Sequence, residues 1–123
     1  MKPGKTGIPR IVDATRHSIN GIRACWANEA AFRQNSMLAV LAFCLSFFVA
    51  QSVEQWLLLN LPTWLLLTVE LLNTAVENVV DRVGHDHNVL SGRAKDMGSA
   101  AVFCCLVMTG VVWAAILWNN YLR

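Results

Sequence analysis

Three carboxylates and one carboxamide recur at helical spacing inside an apolar stretch: Glu70, Asn73, Glu77 and Asp81. At 100° per residue, Glu70, Glu77 and Asp81 fall within about 40° of one another, with Asn73 about 60° to one side. Glu70 lies roughly 10 Å deeper along the helix than Glu77. Placing a carboxylate near mid-bilayer costs at least about 2.5 kcal/mol, so a lipid-facing stripe of bare acids is untenable. A cation, a proton or basic groups from another segment must neutralise it. One alternative is that the acids merely pair with Arg82, Arg93 and Lys95. Buried ion pairs are poor sources of stability, which favours a bound ligand over that reading.

Glu29 adds a further acid, in the run Glu29-Ala-Ala-Phe-Arg33-Gln34. Glu29 and Glu77 are candidates to hold Mg²⁺, an ion that usually takes one or two carboxylates together with phosphate oxygens. Lys95 stands at the start of a later helix, where it could meet a phosphate or simply snorkel. His85, Asp86 and His87 lie in a short polar loop and read as solvated rather than as a metal cluster. The phosphate loop of soluble nucleotide-binding enzymes, the kinase glycine-rich loop and the HEXXH metalloprotease motif are all absent.

These residues need membrane elements to position them. Of the 123 residues 55% are hydrophobic and 15% charged, and the mean hydropathy is +0.44. That balance leans toward lipid and away from disorder, a collagen-like fibre or a large α/β enzyme. A net charge of +2 is too small for a nucleic-acid partner bound through its phosphates. Ile8, Ile11, Val12, Thr15, Ile19, Ile22 and Trp26 share one face of a helix, opposite Arg10, Asp13, Arg16, His17, Asn20 and Arg23. An amphipathic helix over about 8–28, lying on an anionic membrane surface, is expected. No apolar stretch follows the first basic residues, so a cleaved leader is not expected.

Three apolar segments follow, and they predict spans over about 30–50, 56–81 and 92–118. Pro62 in the second should kink the helix without ending it. The third should begin near Gly92, with Ser91 as its N-cap, and Ala94, Gly98 and Ala101 should allow close helix contact. Nine of the ten basic residues, Lys2 among them, lie on one side, which predicts a cytoplasmic N-terminus. Trp56 and Trp118 fall at the opposite interface. Cys25, Cys44, Cys104 and Cys105 form no metal-binding spacing and read as small buried hydrophobes. The expected fold is an all-α membrane protein, one unit over 1–123, with a surface helix and three transmembrane helices.

Glu29-Ala-Ala-Phe-Arg33-Gln34, the Glu70…Asn73…Glu77…Asp81 run and Ser91-Gly-Arg-Ala-Lys-Asp-Met-Gly-Ser-Ala-Ala together resemble the bacterial integral-membrane diacylglycerol kinases, over nearly the whole chain. The resemblance implies a multi-pass homotrimer of the bacterial inner membrane. Its implied activity moves the γ-phosphoryl of Mg-ATP onto diacylglycerol, giving phosphatidic acid. The acid matching Glu70 is then the catalytic base, supported by the position matching Asn73, while those matching Glu29 and Glu77 hold the metal and contact the nucleotide. Positions matching Arg10, His17, Asp86, His87, Asn88, Lys95 and Asp96 are associated with ATP. Those matching Arg10, Arg23, Trp26, Arg33, Trp56, Glu70 and Ser99 are associated with the lipid. Two positions depart from the pattern: His17 stands where a Tyr is expected, and Asp13 where a basic residue is common. The alternatives are an undecaprenol kinase of the same family and a small proton- or cation-coupled transporter, although three spans and a fifteen-residue basic loop fit a transporter poorly.

Overall fold

A computed structural model describes residues 4–123; residues 1–3, and with them Lys2 and the start of the expected 1–123 unit, lie outside the described residues. Four helices follow in order: α1 (Ile8–Asn28), α2 (Ala30–Val49), α3 (Val53–Val83) and α4 (Val89–Leu117). A π-helical turn, Trp118–Leu122, continues α4. No strand occurs among the described residues.

The helix ends explain how the chain reverses. Gly7, at φ 67°, turns the chain into α1, and Pro9 sits in the first turn, where its missing N–H costs nothing. Glu29 alone is extended (φ −122°, ψ 109°) and separates α1 from α2. Arg33 closes that joint: its Nη1 donates to the carbonyls of Trp26 (2.6 Å) and Ala27 (3.4 Å), which the end of α1 leaves unsatisfied.

The hydroxyl of Ser52 accepts from the amide of Gln55 at 3.1 Å, so α3 starts at Val53, three residues before the expected Trp56. Helix α4 also begins early. The Asn88 side chain accepts from the amides of Leu90 (2.9 Å) and Ser91 (3.1 Å), and Asn88, not Ser91, is the N-cap. An Asn carboxamide that reaches those amides first leaves Ser91 inside the helix.

Helix α3 is the centre of the molecule, packed against α4 along one side and α2 along another, while α1 touches α2 and α3 only lightly. Leu59 and Leu66 of α3 are fully enclosed, and Phe32 and Ala42 of α2 and Cys105 and Ile116 of α4 are also buried along the bundle. Pro62 leaves the helix unbroken. At that loosened turn the indole N–H of Trp113 donates to the carbonyl of Leu59 (3.2 Å) and the Thr63 hydroxyl donates to that of Asn60 (2.9 Å). Helices α2, α3 and α4 are each long and apolar enough to cross a membrane. Val40, Phe48, Trp64, Phe103 and Val111 point outward, as lipid-facing side chains do. All four cysteines are free thiols; Cys25 and Cys105 are buried, whereas Cys44 and Cys104 are exposed on the apolar exterior rather than buried as expected.

Candidate active site

The deepest acid is enclosed by its own chain. Glu70 is only 4% exposed, one turn from buried Leu66 and one from buried Thr74. Asn35 of α2 donates through Nδ2 to Glu70 Oε1 at 2.8 Å. Asn35 was not among the expected site residues. It lies 35 positions from Glu70, and only the antiparallel packing of α2 on α3 brings the two together.

One turn further along α3 Asn73 lies against Gly98 of α4, and Glu77 follows one turn beyond it. Asn73 Nδ2 donates to Glu77 Oε1 at 3.4 Å. Its Oδ1 is enclosed and has no hydrogen-bond partner among the described residues. The backbone of Gly98 lies so near that a Cβ there would overlap Asn73 Oδ1. The small residue expected to allow close helix contact is therefore the one that seats the Asn73 carboxamide.

Glu29 and Glu77 are both partly exposed. Glu29 opens onto a cleft of about 630 Å³ between α1 and α3, lined also by Ser18, Cys25, Asn28, Thr74 and Asn78. Within that lining the Cys25 thiol donates to the Thr74 hydroxyl at 3.6 Å, tying α1 to α3. No group of three or more His, Cys, Asp or Glu side chains is assembled for a metal among the described residues. His85, Asp86 and His87 lie exposed in the loop between α3 and α4. What the chain offers near Glu70 is a pair of separate carboxylates, a donor set that fits Mg²⁺ arriving with a polyphosphate better than a resident caged ion.

The remaining expected residues divide between structural duty and open surface. Asp81 shares the helix face of Glu70 but pairs with Lys95 of α4 at 2.7 Å, both side chains about 45% exposed. For this acid the simple ion-pair alternative holds. Arg33, expected at the lipid, is engaged at the end of α1, and the Asn88 oxygen is engaged as a cap. Arg10, His17, Arg23, Asp86, His87, Asp96 and Ser99 are exposed and make no side-chain hydrogen bond or ion pair among the described residues.

Trp26 is 45% exposed on α1. Trp56 stands fourteen residues before Glu70, about 21 Å along the axis. Its ring packs near those of Phe43 and Phe47, at centroid distances of 6.1 and 5.8 Å. An apolar groove of about 620 Å³ between α2 and α3 runs from Trp56 past Phe43 and Leu61 to Ser36 and Leu67. At that far end Ser36 follows Asn35 in the chain and Leu67 precedes Glu70 by about one helical turn, although neither Asn35 nor Glu70 lines the groove.

A family model described as prokaryotic diacylglycerol kinase matches residues 16–117. The chain belongs to that family. The diacylglycerol kinase of Escherichia coli (strain K12) is 41% identical over 121 residues, covering 98% of this chain and 99% of the relative. The diacylglycerol kinase of Pseudomonas aeruginosa is 45% identical over 114 residues, 93% of each chain, and that of Haemophilus influenzae is 42% identical over 113 residues, 92% of this chain and 96% of the relative. The matched residues of the prokaryotic diacylglycerol kinase family include Glu29, Glu70, Asn73, Glu77 and Lys95, so the whole acid-bearing end of the bundle falls inside the match.

Proposed function

We infer that this chain is a lipid kinase that transfers the γ-phosphoryl group of ATP to the free hydroxyl of diacylglycerol, giving phosphatidic acid. The observation that carries the reading is a buried carboxylate, Glu70, one helical turn beyond the last α3 residue of an apolar groove and on the same helix face as the more accessible Glu77, in a chain of this family. The groove suits an acyl chain, with Trp56 at the end away from Glu70. The partly exposed end of α3 suits a nucleotide. An undecaprenol kinase and a cation-coupled transporter are not favoured, since the relatives are diacylglycerol kinases.

A lipid hydroxyl is a weak nucleophile and needs a base beside it. In the proposed step its oxygen bonds to the γ-phosphorus while the bond from that phosphorus to the β–γ bridging oxygen breaks. ADP leaves with the electron pair, Glu70 takes the hydroxyl proton, and that proton later passes to water. Asn73 orients Glu77. Arg10, His17, Lys95 and Asp96, with the loop Asp86, His87 and Asn88, face the nucleotide, and Arg23, Trp26, Arg33 and Ser99 the lipid. Lys95 must exchange Asp81 for phosphate to do so. Glu29 and Glu77 would hold Mg²⁺, which when bound offsets the charge of the phosphates. Phosphoryl transfer asks chiefly for positioning and electrostatics, so a small scaffold suffices.

The cytoplasmic N-terminus rests on the nine basic residues on one side of the spans, and the inner-membrane location on the resemblance to the bacterial integral-membrane diacylglycerol kinases. A homotrimer is consistent with the broad apolar exterior and with the partial exposure of Glu29 and Glu77, which a neighbouring copy would cover.

The test is ATP consumption by the purified protein in lipid micelles, with diacylglycerol, undecaprenol or no lipid alcohol added. Consumption should require diacylglycerol, and rates indifferent to it would overturn the reading. Glu70→Gln should lower the rate by about 10³-fold while assembly is kept, within the range removal of a general base spans. Normal turnover in that variant would remove Glu70 from the role of base.

A further inference from the structure

We propose that Asn35 is the positioning residue of the transfer step: its carboxamide holds Glu70 Oε1 so that Oε2 alone is presented to the lipid hydroxyl. The inference rests on the reading of Glu70 as the base. Asn35 Nδ2 lies 2.8 Å from Oε1, and it is the one side-chain donor to Glu70 among the described residues. Oε2 takes no hydrogen bond there, yet it is not one of the enclosed, unpartnered polar atoms. One oxygen is therefore committed and the other remains approachable.

The chemistry of the donor matters. A carboxylate buried in an apolar bundle loses hydration, and a hydrogen bond must replace it. A Lys or Arg would supply that bond but would also pair with the charge and blunt the base. A neutral amide fixes the oxygen without cancelling it. The amide of Asn73 cannot serve, because it is directed at Glu77. Asn35 also reaches Glu70 from a different helix, so the closing of α2 on α3 itself sets the orientation of the carboxylate. A displacement of about 1 Å at a reacting group costs up to about 10²-fold in rate.

The experiment compares Asn35→Leu and Asn35→Gln in the full chain, with steady-state kinetics for ATP and diacylglycerol. Asn35→Leu should lower kcat by about 10- to 100-fold with both KM values within about two-fold of the parent. Asn35→Gln, which keeps the amide, should recover at least part of that loss. In the Glu70→Gln background Asn35→Leu should reduce the residual rate no further. Asn35→Ala repeats the test if the leucine variant fails to assemble.

Unchanged kcat would overturn the proposal, as would a loss expressed only in KM for diacylglycerol, which marks a lipid contact. A Gln variant no better than Leu would mean that Asn35 only fills space. Each of these leaves the base assignment standing so long as Glu70→Gln is inactive; an active Glu70→Gln variant would instead sink the reading beneath it.

Discussion

The two ends of the bundle are both polar, and they treat their polar groups in opposite ways. Where α2 meets α3 and α4 terminates, neutral amides bond to one another, and the only charged side chains among the described residues there, Glu54 and Arg123, are exposed. Gln55 and Asn120 exchange amide hydrogen bonds at 3.0 and 2.8 Å. Asn120 also donates to the Val49 carbonyl (2.9 Å), and the Tyr121 hydroxyl donates to that of Phe48 (3.2 Å). The π-helical turn Trp118–Leu122 brings Asn120 onto the α2–α3 connection. At the other end the groups are charged and mostly open: Glu29, Glu77 and Asp96 make no ion pair among the described residues. Reciprocal amides can be enclosed at little cost, whereas unpaired charges are kept only where something else completes them. One end is a clasp, and the other awaits a ligand.

The sharpest way to break this contrast is at Gly98. In Gly98→Ala the added methyl must displace the Asn73 carboxamide, which then loses its direction toward Glu77. We expect about a ten-fold loss in kcat/KM for ATP, with a stability loss of about 1–3 kcal/mol, the usual cost of overpacking. Kinetics alongside detergent-unfolding midpoints check both. Parental kinetics in a folded Gly98→Ala protein would show that the acid-bearing end does not depend on this seat.

The same contrast explains what the sequence alone could convey. Apolar runs of membrane length are visible in any linear reading, and four helices are expected within about three residues of the bounds found for α1, α2, α3 and α4. The stripe of Glu70, Asn73 and Glu77 was legible because helical periodicity is local. Partners across helices were not. Asp81 looked like a fellow member of the stripe until α4 brought Lys95 to it. Nor did the sequence show that Arg33 reaches back to the Trp26 carbonyl at the end of α1. The start of α4 was misplaced because Asn88 and Ser91 are both good caps, and only the loop's path decides which is used.

Asn35 was hidden by its distance along the chain, although the hairpin register holds its signature. Asn60 meets Ser46 at 3.0 Å, and eleven residues back along α2 and ten forward along α3 lies the Asn35–Glu70 contact. One known pair across that hairpin would have predicted the other.

A smaller effect is expected at the clasp. Asn120→Leu removes the exchanged amide bonds and the bond to Val49, and leaves the Gln55 amide without its partner. A loss of about 1–2 kcal/mol in stability should follow, since such bonds contribute about 0.5–1.5 kcal/mol each and often less within membranes. Turnover at a temperature where the protein stays folded should remain within about two-fold of the parent. A kinetic loss as large as that of Gly98→Ala would mean the two ends are functionally joined, and the division between clasp and ligand end would fail.

The smallest effect belongs to Asp13, the one place on α1 where charges are already satisfied. Asp13 accepts from Lys5 at 2.7 Å and also from Arg16, holding the segment before α1 against the helix. The Lys5 hydrogen bond, joined by the charges of Lys5 and Arg16, keeps its carboxyl below the ordinary value of 3.8. With the folded value depressed, its contribution is complete above about pH 3.8 and is lost as pH falls through the lower folded value. Asp13→Asn should therefore lower the unfolding midpoint slightly and by the same amount at pH 6 and pH 8, with the gap from the parent closing below pH 4. A gap that widened on acidification would show that Asp13 is not stabilised as the anion. Turnover at neutral pH should stay within about two-fold, because this carboxylate is committed to its own helix and belongs, in its chemistry, with the self-satisfied clasp rather than with Glu29 and Glu77.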